Sequence, residues 1–527
     1  MGARKRTVLS ILWMSVVTAA GLAMLFAATA RAADDLQQQV DKLSKEVESL
    51  KKQVSQDQAS KPAGKSIGDW LTIGGDYRFR IDSLRGEVPA FYNFMDPAFQ
   101  AWLGGGMIGP PPSPTGEFKV KNDVLYTNRF GLNLKAKATK NVTVSARLLM
   151  YKTAGSQDDV AVSGLSTAGG VQPFFADRVG VFDGTEGHVP ADGKIVVDYA
   201  YATWNNILDQ PIWFSVGRRP STGGIPSHLR QNNEKPGNGG IPAILVDYAF
   251  DGMTLGYAPD IEALPGAYAK LCYGRGFENG LTTSSGNGLR DTDFIGLSVV
   301  PYDTDRLYLN AQWNRGMNIF DFPVIRSNTV FGNTAPSTDL GDIDWYGITA
   351  LSTLKDIGPG RLNVFASGAM SVTQPNSNLS NGMAGLLYSP SLEAKEDKTG
   401  NAFYVGGRYD FNKNRTKLGV EYNHGSKNWI AFAPASDDIW TTKLGTRGNV
   451  YEAYLIQEFS YEPLSSYLSK TFVRLGYQYY DFDYTGSNNW VGSPVKIDDL
   501  AKSPAFAQML IPMKNAQDIY ATLEVKF

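Results

Sequence analysis

Charged side chains recur at every second position over Asp76, Arg78, Arg80 and Asp82, with Tyr77, Phe79 and Ile81 between them. Strict period-2 alternation belongs to a strand with one wet and one apolar face. Four charges on one face and none on the other do not suit the interior of a soluble sandwich. They suit a wall between lipid and a water-filled lumen. Arg129, Lys135, Lys137 and Arg147 take equivalent positions on the next two expected strands. Asp410, Glu421, Glu452, Glu458 and Glu524 take them on later ones. Opposed basic and acidic walls would set a transverse field across an aqueous space, and charged rings select among solutes. Asp76, Arg78, Arg80, Arg129, Lys135, Arg147, Glu421, Glu452 and Glu524 are therefore the candidate lining residues. Arg78, Arg80 and Arg129 lead that group. The expected chemistry is non-covalent.

Other reactive groups are sparse. His188, His228 and His424 are the only histidines, two in expected surface loops and one at the outer end of a strand. No serine and acid stand sensibly beside any of them, so no enzyme is expected. Cys272 is the only cysteine, which excludes an intrachain disulfide framework, a cysteine-based zinc cluster and a CxxCH haem attachment. Cys272 itself reads as a packed residue. The glycines at Gly223-Gly224 and Gly237–Gly240 lack a strand–loop–helix setting for a phosphate cradle. Asp437-Asp438 and Ser487–Asn489 read as solvated loop polarity rather than a cation site. No metal and no cofactor is expected. Lys+Arg at 50 against Asp+Glu at 52 leaves no field for nucleic acid.

The elements that must hold these charges follow from the same alternation. The reading is an all-β, antiparallel up-and-down transmembrane barrel. Strands are expected near 71–81, 121–138, 140–153, 194–206, 211–219, 243–258, 266–277 and 291–301. The second half continues near 305–316, 342–355, 361–374, 401–411, 415–427, 447–461, 470–484 and 515–527. Long and short connections alternate between them, as a barrel with long outer loops and short periplasmic turns requires. The total is sixteen, an even number, with eighteen as the alternative. The choice lies at Ala243–Ala258, where Tyr248 and Phe250 alternate in one phase and Met253, Leu255 and Tyr257 in the other. A bulge at Asp251-Gly252 would keep one strand; a DG hairpin would make two. Loop alternation selects the bulge. Among the long loops, 84–120 and 154–193 are ranked first, on length, to fold inward and narrow the lumen.

The last strand ends on Phe527, with Ile519, Ala521, Leu523 and Val525 on its apolar face. Leu523, Val525 and Phe527 are the candidate closure residues. Closure would set Glu524 and Lys526 beside Asp76 and Arg78. Ahead of the barrel (69–527), residues 1–32 read as an export signal: a basic Arg4-Lys5-Arg6, an apolar Val8–Ala28 and a small-x-small Ala30-Arg31-Ala32. Residues 34–58 carry unbroken heptads, with Val40, Val47 and Val54 at a and Leu36, Leu43 and Leu50 at d. Residues 59–68 are a flexible linker. Mean hydropathy is −0.23, and no later stretch is long and apolar enough for a membrane helix. A membrane form could then span only as a barrel.

This arrangement resembles bacterial outer-membrane porins with an N-terminal periplasmic coiled coil, including a family of unknown function of about this length. The resemblance rests on the coiled coil followed by the Trp70–Asp82 strand, and on the Ile519–Phe527 end. It implies a Gram-negative outer-membrane channel for passive diffusion of small hydrophilic solutes. It also implies insertion by the barrel assembly machinery and a homo-oligomer, trimer favoured over dimer. It assigns no solute. Two other readings remain at this stage. One is a barrel shell housing an electron-transfer cytochrome supplied as a periplasmic partner, and the other a surface β-protein acting as an adhesin.

Overall fold

The computed structural model describes residues 67–155, 182–190, 193–281, 289–323, 335–433, 437–459 and 469–527. The chain divides into two units, Met1–Trp70 and Leu71–Phe527. Of the first, one helical turn, Ile67–Trp70, is described. The expected export signal, the coiled coil with its Leu36–Val54 seam, and the linker up to residue 66 lie outside the described residues.

The second unit is a closed barrel. Its first half comprises β1 (Leu71–Val88), β2 (Phe118–Lys137), β3 (Val142–Thr153), β4 (Val196–Trp204), β5 (Ile212–Ser221), β6 (Tyr248–Tyr257), β7 (Tyr268–Phe277) and β8 (Thr292–Asp303). The second half comprises β9 (Leu307–Met317), β10 (Gly341–Ile357), β11 (Gly360–Pro375), β12 (Lys398–Phe411), β13 (Thr416–Gly425), β14 (Gly448–Glu458), β15 (Lys470–Phe482) and β16 (Asn515–Lys526). Each strand pairs antiparallel with its chain neighbours, and β16 returns to β1. Every expected strand is present, and the sixteen-strand count stands.

Burial is inverted relative to a soluble protein. On β16, Ile519 is 56% exposed and Leu523 43%, while Tyr520 and Glu524 are each 3% exposed. The same reversal repeats at Ile348, Val420 and Leu475, all exposed, beside buried Thr349, Glu421 and Arg474. Apolar side chains form the outer band, and polar groups turn inward.

Closure brings Asp76 opposite Lys526 and Arg78 opposite Glu524. The chain end is tied in, since Gly75 N–H donates to the Phe527 carbonyl at 2.7 Å and Phe527 N–H donates back at 3.0 Å. A side chain at Gly75 would meet the Gly131 carbonyl at 2.4 Å and the Phe527 ring at 2.8 Å. Only glycine lets three strand backbones and the terminal ring meet there.

Two expectations are corrected. The phase slip in β6 is not a bulge: Asp251 and Gly252 stay in unbroken register with β5 and β7. Tyr248 and Phe250 instead face an apolar interior, while Met253, Leu255 and Tyr257 face outward. Residues 243–247 leave the strand altogether. Nor does length decide which loop enters the lumen. The 89–117 connection folds on itself and on the last loop, through Phe91–Thr115 and Phe94–Gln508 backbone bonds. Of 154–193, residues 156–181 and 191–192 lie outside the described residues, and Phe182 packs on Phe320 and Trp490. Among the described residues, 222–247, between β5 and β6, and 426–433 with 437–447, between β13 and β14, enter the lumen, and Phe182 of the 154–193 loop joins the same interior cluster.

Candidate functional site in the barrel interior

Each inserted segment carries an apolar run that water would not tolerate. Ile244, Leu245 and Val246 are at most 2% exposed, and Trp429, Ile430, Ala431, Phe432 and Ala433 at most 1%. The runs meet in mid-barrel. Phe432 N–H donates to the Leu245 carbonyl and Asp247 N–H to the Phe432 carbonyl, both at 2.9 Å. Phe432 stacks among Tyr248, Phe250, Phe294 and Trp345. The Trp345 indole N–H donates to the Ile430 carbonyl at 2.8 Å. These contacts give the barrel a hydrophobic core inside its own lumen.

Polar wall residues fasten the rest of both segments. Lys270 on β7 donates to the carbonyls of Asn238 and Gly240. On the far wall, Arg408 donates to the Leu229 carbonyl, Arg474 to the Arg230 carbonyl and Lys526 to the Gln231 and Asn232 carbonyls. Segment 222–247 thus crosses from β7 to β16. Arg230 pairs with Asp438 at 2.6 Å and Glu452 at 3.2 Å, locking one segment to the other and to β14. Lys443 bridges Glu421 and Glu452.

Asp437 reaches the opposite wall. Arg78 grips it through two bonds of 2.5 and 2.7 Å, and Arg129 lies 3.7 Å away. Burial pushes the Asp437 carboxyl up, but Arg78, then Arg129 and Arg80, hold it well below the usual carboxylate range. His188, in the described part of the 154–195 connection, lies 2.6 Å from Asp198 and 3.7 Å from Asp247. Burial disfavours its charged form, yet the Asp198 and Asp247 carboxylates raise it to about 10. His228, in the short Ser227–Arg230 helix of the first insert, has no such partner among the described residues. Burial, with Arg408 and Lys235 nearby, lowers it to about 3. Neither histidine sits in a solvated surface loop, as the sequence reading had it.

The candidate lining residues all lie on inward faces, in two different settings. Arg78, Arg80, Glu421, Glu452 and Glu524 are at most 5% exposed. Arg78 is bound by Asp437; Arg80 is held by Asp82 at 2.6 Å and Asp518 at 2.8 Å. Glu524 accepts from Arg474 at 2.9 Å. These groups are occupied with the inserted segments and with one another. Asp76, Arg129, Arg147 and Lys135 keep contact with solvent. Asp76 lies between Arg129 at 3.4 Å and Arg147 at 2.6 Å. Lys135 is exposed near the short-turn end and has no ion pair among the described residues. The solvent-reaching stretch of wall continues through Asn133, Tyr199, Tyr201 and Arg219, along β2 to β5.

Asp437, Asp438, Arg230 and Lys443 were missed as interior residues. A signal for them existed: Trp429–Ala433 and Ile241–Val246 are apolar runs inside long connections. A solvated outer loop has no use for such a run.

The model of the family described as Protein of unknown function (DUF3373) matches residues 119–527. Among solved structures, the chain is similar to in-vitro folded OmpT of Vibrio cholerae in its trimer form. Identity is 13% and the TM-score 0.39, over 87% of this chain and 99% of that one. It is also similar to the high-pH structure of Pseudomonas putida OprB, at 11% identity and TM-score 0.39, over 88% and 95%. The anion-selective porin from Comamonas acidovorans gives 10% identity and TM-score 0.38, over 87% and 99%. No curated protein matches the sequence. The architecture, a closed antiparallel barrel of sixteen strands, is the porin-type barrel that the sequence resemblance implied.

Proposed function

We propose that this chain, which belongs to the Protein of unknown function (DUF3373) family, is an outer-membrane diffusion channel of a Gram-negative bacterium. Its solutes are small and hydrophilic, and they pass along the β2–β5 wall. One observation carries the reading. Beside the two inserted segments, the faces of β2 to β5 stay polar, charged and in contact with solvent at Asn133, Lys135, Arg147, Tyr199 and Arg219. A sixteen-strand barrel is wide enough for an aqueous channel. The two inserts take up much of that width, so the path is narrow and asymmetric. Paired charges such as Asp76 with Arg129 and Arg147 would supply fixed dipoles along it.

The cytochrome-shell reading is less favoured, because the inserts occupy the space a haem-bearing partner would need. The exposed apolar band on the barrel exterior speaks against a soluble adhesin. Self-association through Leu36, Val40, Leu43, Val47, Leu50 and Val54, to a trimer rather than a dimer, belongs to the same proposal. So does insertion by the barrel assembly machinery.

Planar-bilayer recording tests the channel. Purified protein should give discrete, salt-dependent steps, smaller than those of a barrel with an unobstructed lumen. Silence after confirmed insertion overturns the proposal.

A further inference from the structure

Inward-facing guanidinium groups on the barrel strands come with carboxylates. Arg78, Arg80, Arg129, Arg147, Arg408 and Arg474 each have at least one as an ion-pair partner. Arg219 on β5 does not. Its cross-strand neighbour is Phe250, a member of the interior aromatic cluster, so Arg219 faces inward. Its guanidinium lies 5.5 Å over the Tyr201 ring. Its Nη1 is buried without a hydrogen-bond partner, and no carboxylate is paired with it among the described residues.

A second cation stands on the same wall, two strands away. Lys270 on β7 faces the same interior and is 6% exposed. Its ammonium donates to two backbone carbonyls of the inserted segment, Asn238 at 3.0 Å and Gly240 at 2.5 Å. An ammonium has three N–H donors, so one is left over. No carboxylate is paired with Lys270 among the described residues either. Lys270 lies two strands and three cross-strand rows from Arg219, with Cys272 in the row next to Lys270 on the same inward face.

The ground between them is polar, and part of it reaches solvent. Gly217, Gly252 and Gly274 form one cross-strand row with no side chains. Ser215, Thr254 and Cys272 form the next row, and the Thr254 hydroxyl donates to the Cys272 sulfur at 3.2 Å. Tyr201, Gly217, Arg219, Gly252 and Cys272 all keep partial contact with solvent. Two like charges without counter-charge among the described residues, half withdrawn from water, cost free energy that an oxyanion between them would recover. A guanidinium fork and a spare ammonium donor suit a carboxylate or phosphate group.

We propose that Arg219 and Lys270 form an oxyanion site on the β5–β7 wall, which favours small carboxylates and phosphates as solutes of the channel. Its role in transport rests on the channel reading above; its existence does not.

The sole cysteine lies beside the site and reports on it without any current. Wild-type protein in detergent or liposomes is labelled with thiosulfonates of similar size, one bearing a sulfonate and one a trimethylammonium. In each, the Cys272 thiolate attacks the sulfenyl sulfur, forms the mixed disulfide and expels the sulfinate. Each rate is normalised to that of a free thiol in solution. The anionic reagent should react roughly tenfold faster than the cationic one, as two unneutralised positive charges nearby require. Inorganic phosphate should slow its reaction, and Arg219→Gln or Lys270→Gln should bring the ratio towards unity. In bilayers, the same variants should shift the reversal potential in a salt gradient towards cations. A normalised ratio at or below one, no labelling by either reagent, or a ratio unchanged in both variants overturns the site. Silent bilayers with the labelling ratio intact would instead overturn the channel and leave the site standing.

Discussion

Asp437→Ala should release the second inserted segment without opening the barrel wall. Arg78 is 1% exposed and holds Asp437 through two short bonds. Removing the carboxylate strands a buried guanidinium, with Arg129 also losing a neighbour at 3.7 Å. Breaking a buried ion pair on one side costs about 3–5 kcal/mol. At 1.36 kcal/mol per tenfold, local release becomes about 10²–10⁴ times more frequent. The loss should stay local because β1 and β16 are held by their own ladder from Asp76–Lys526 to Glu87–Asn515. Hydrogen exchange resolves the two cases. The amides of Lys443 and Gly445 bond within the segment, and that of Phe432 bonds to the Leu245 carbonyl. All three should lose protection, while amides of β1 and β16 keep theirs. Single-channel conductance should rise. Acid should mimic the variant: the Asp437 carboxyl is held low in the fold, so its contribution is present above the ordinary carboxylate range and is lost as pH falls through the folded value. The double variant Arg78→Leu/Asp437→Leu should recover much of the protection, since no charge is then stranded. Unchanged exchange over 437–447 in Asp437→Ala, or equal loss across β1 and β16, would refute the reasoning.

Three further perturbations probe other parts of the same design. His228 is neutral in the fold and lowered to about 3, so its contribution is full above the ordinary histidine value and falls as pH drops from there towards 3. At pH 5 the first insert should be weaker by about 2 kcal/mol than at neutral pH, and His228→Gln should flatten that dependence. Equal proteolysis or exchange of residues 227–233 at both pH values counts against it. Gly75→Val should abolish most barrel assembly, because the new side chain meets backbone 2.4 Å away at Gly131. Deletion of Phe527 should lower barrel yield, read as heat-modifiable migration on gels, more than it changes the conductance of what assembles. Normal yield in both variants would undo the closure argument.

Strand number, strand order and the closing pair were legible in the amino-acid sequence. A membrane barrel wall has one lipid face and one interior face, so a period-2 pattern assigns every side chain to a face. Closure then leaves little freedom: alternation over Leu71–Ile81 and Ile519–Phe527 was enough to set Glu524 and Lys526 beside Asp76 and Arg78, while the register that pairs Glu524 with Arg78 and Lys526 with Asp76 came from the structure. What fills the barrel was decided by tertiary structure. Arg78 and Asp437 are 359 residues apart, and no local pattern links them. Strand periodicity says that Arg78 points inward, but not whether water or a carboxylate meets it. That depends on the path of a loop, which follows from where Trp429–Ala433 and Ile241–Val246 can leave water together. The β6 phase change shows the same limit, because Tyr248 and Phe250 are apolar for an interior that the inserted segments make apolar together with wall residues such as Phe294 and Trp345. Sequence alone therefore sorted side chains by face. Which of the inward charges became anchors, and which stayed in contact with solvent, was settled by loops folding into the lumen.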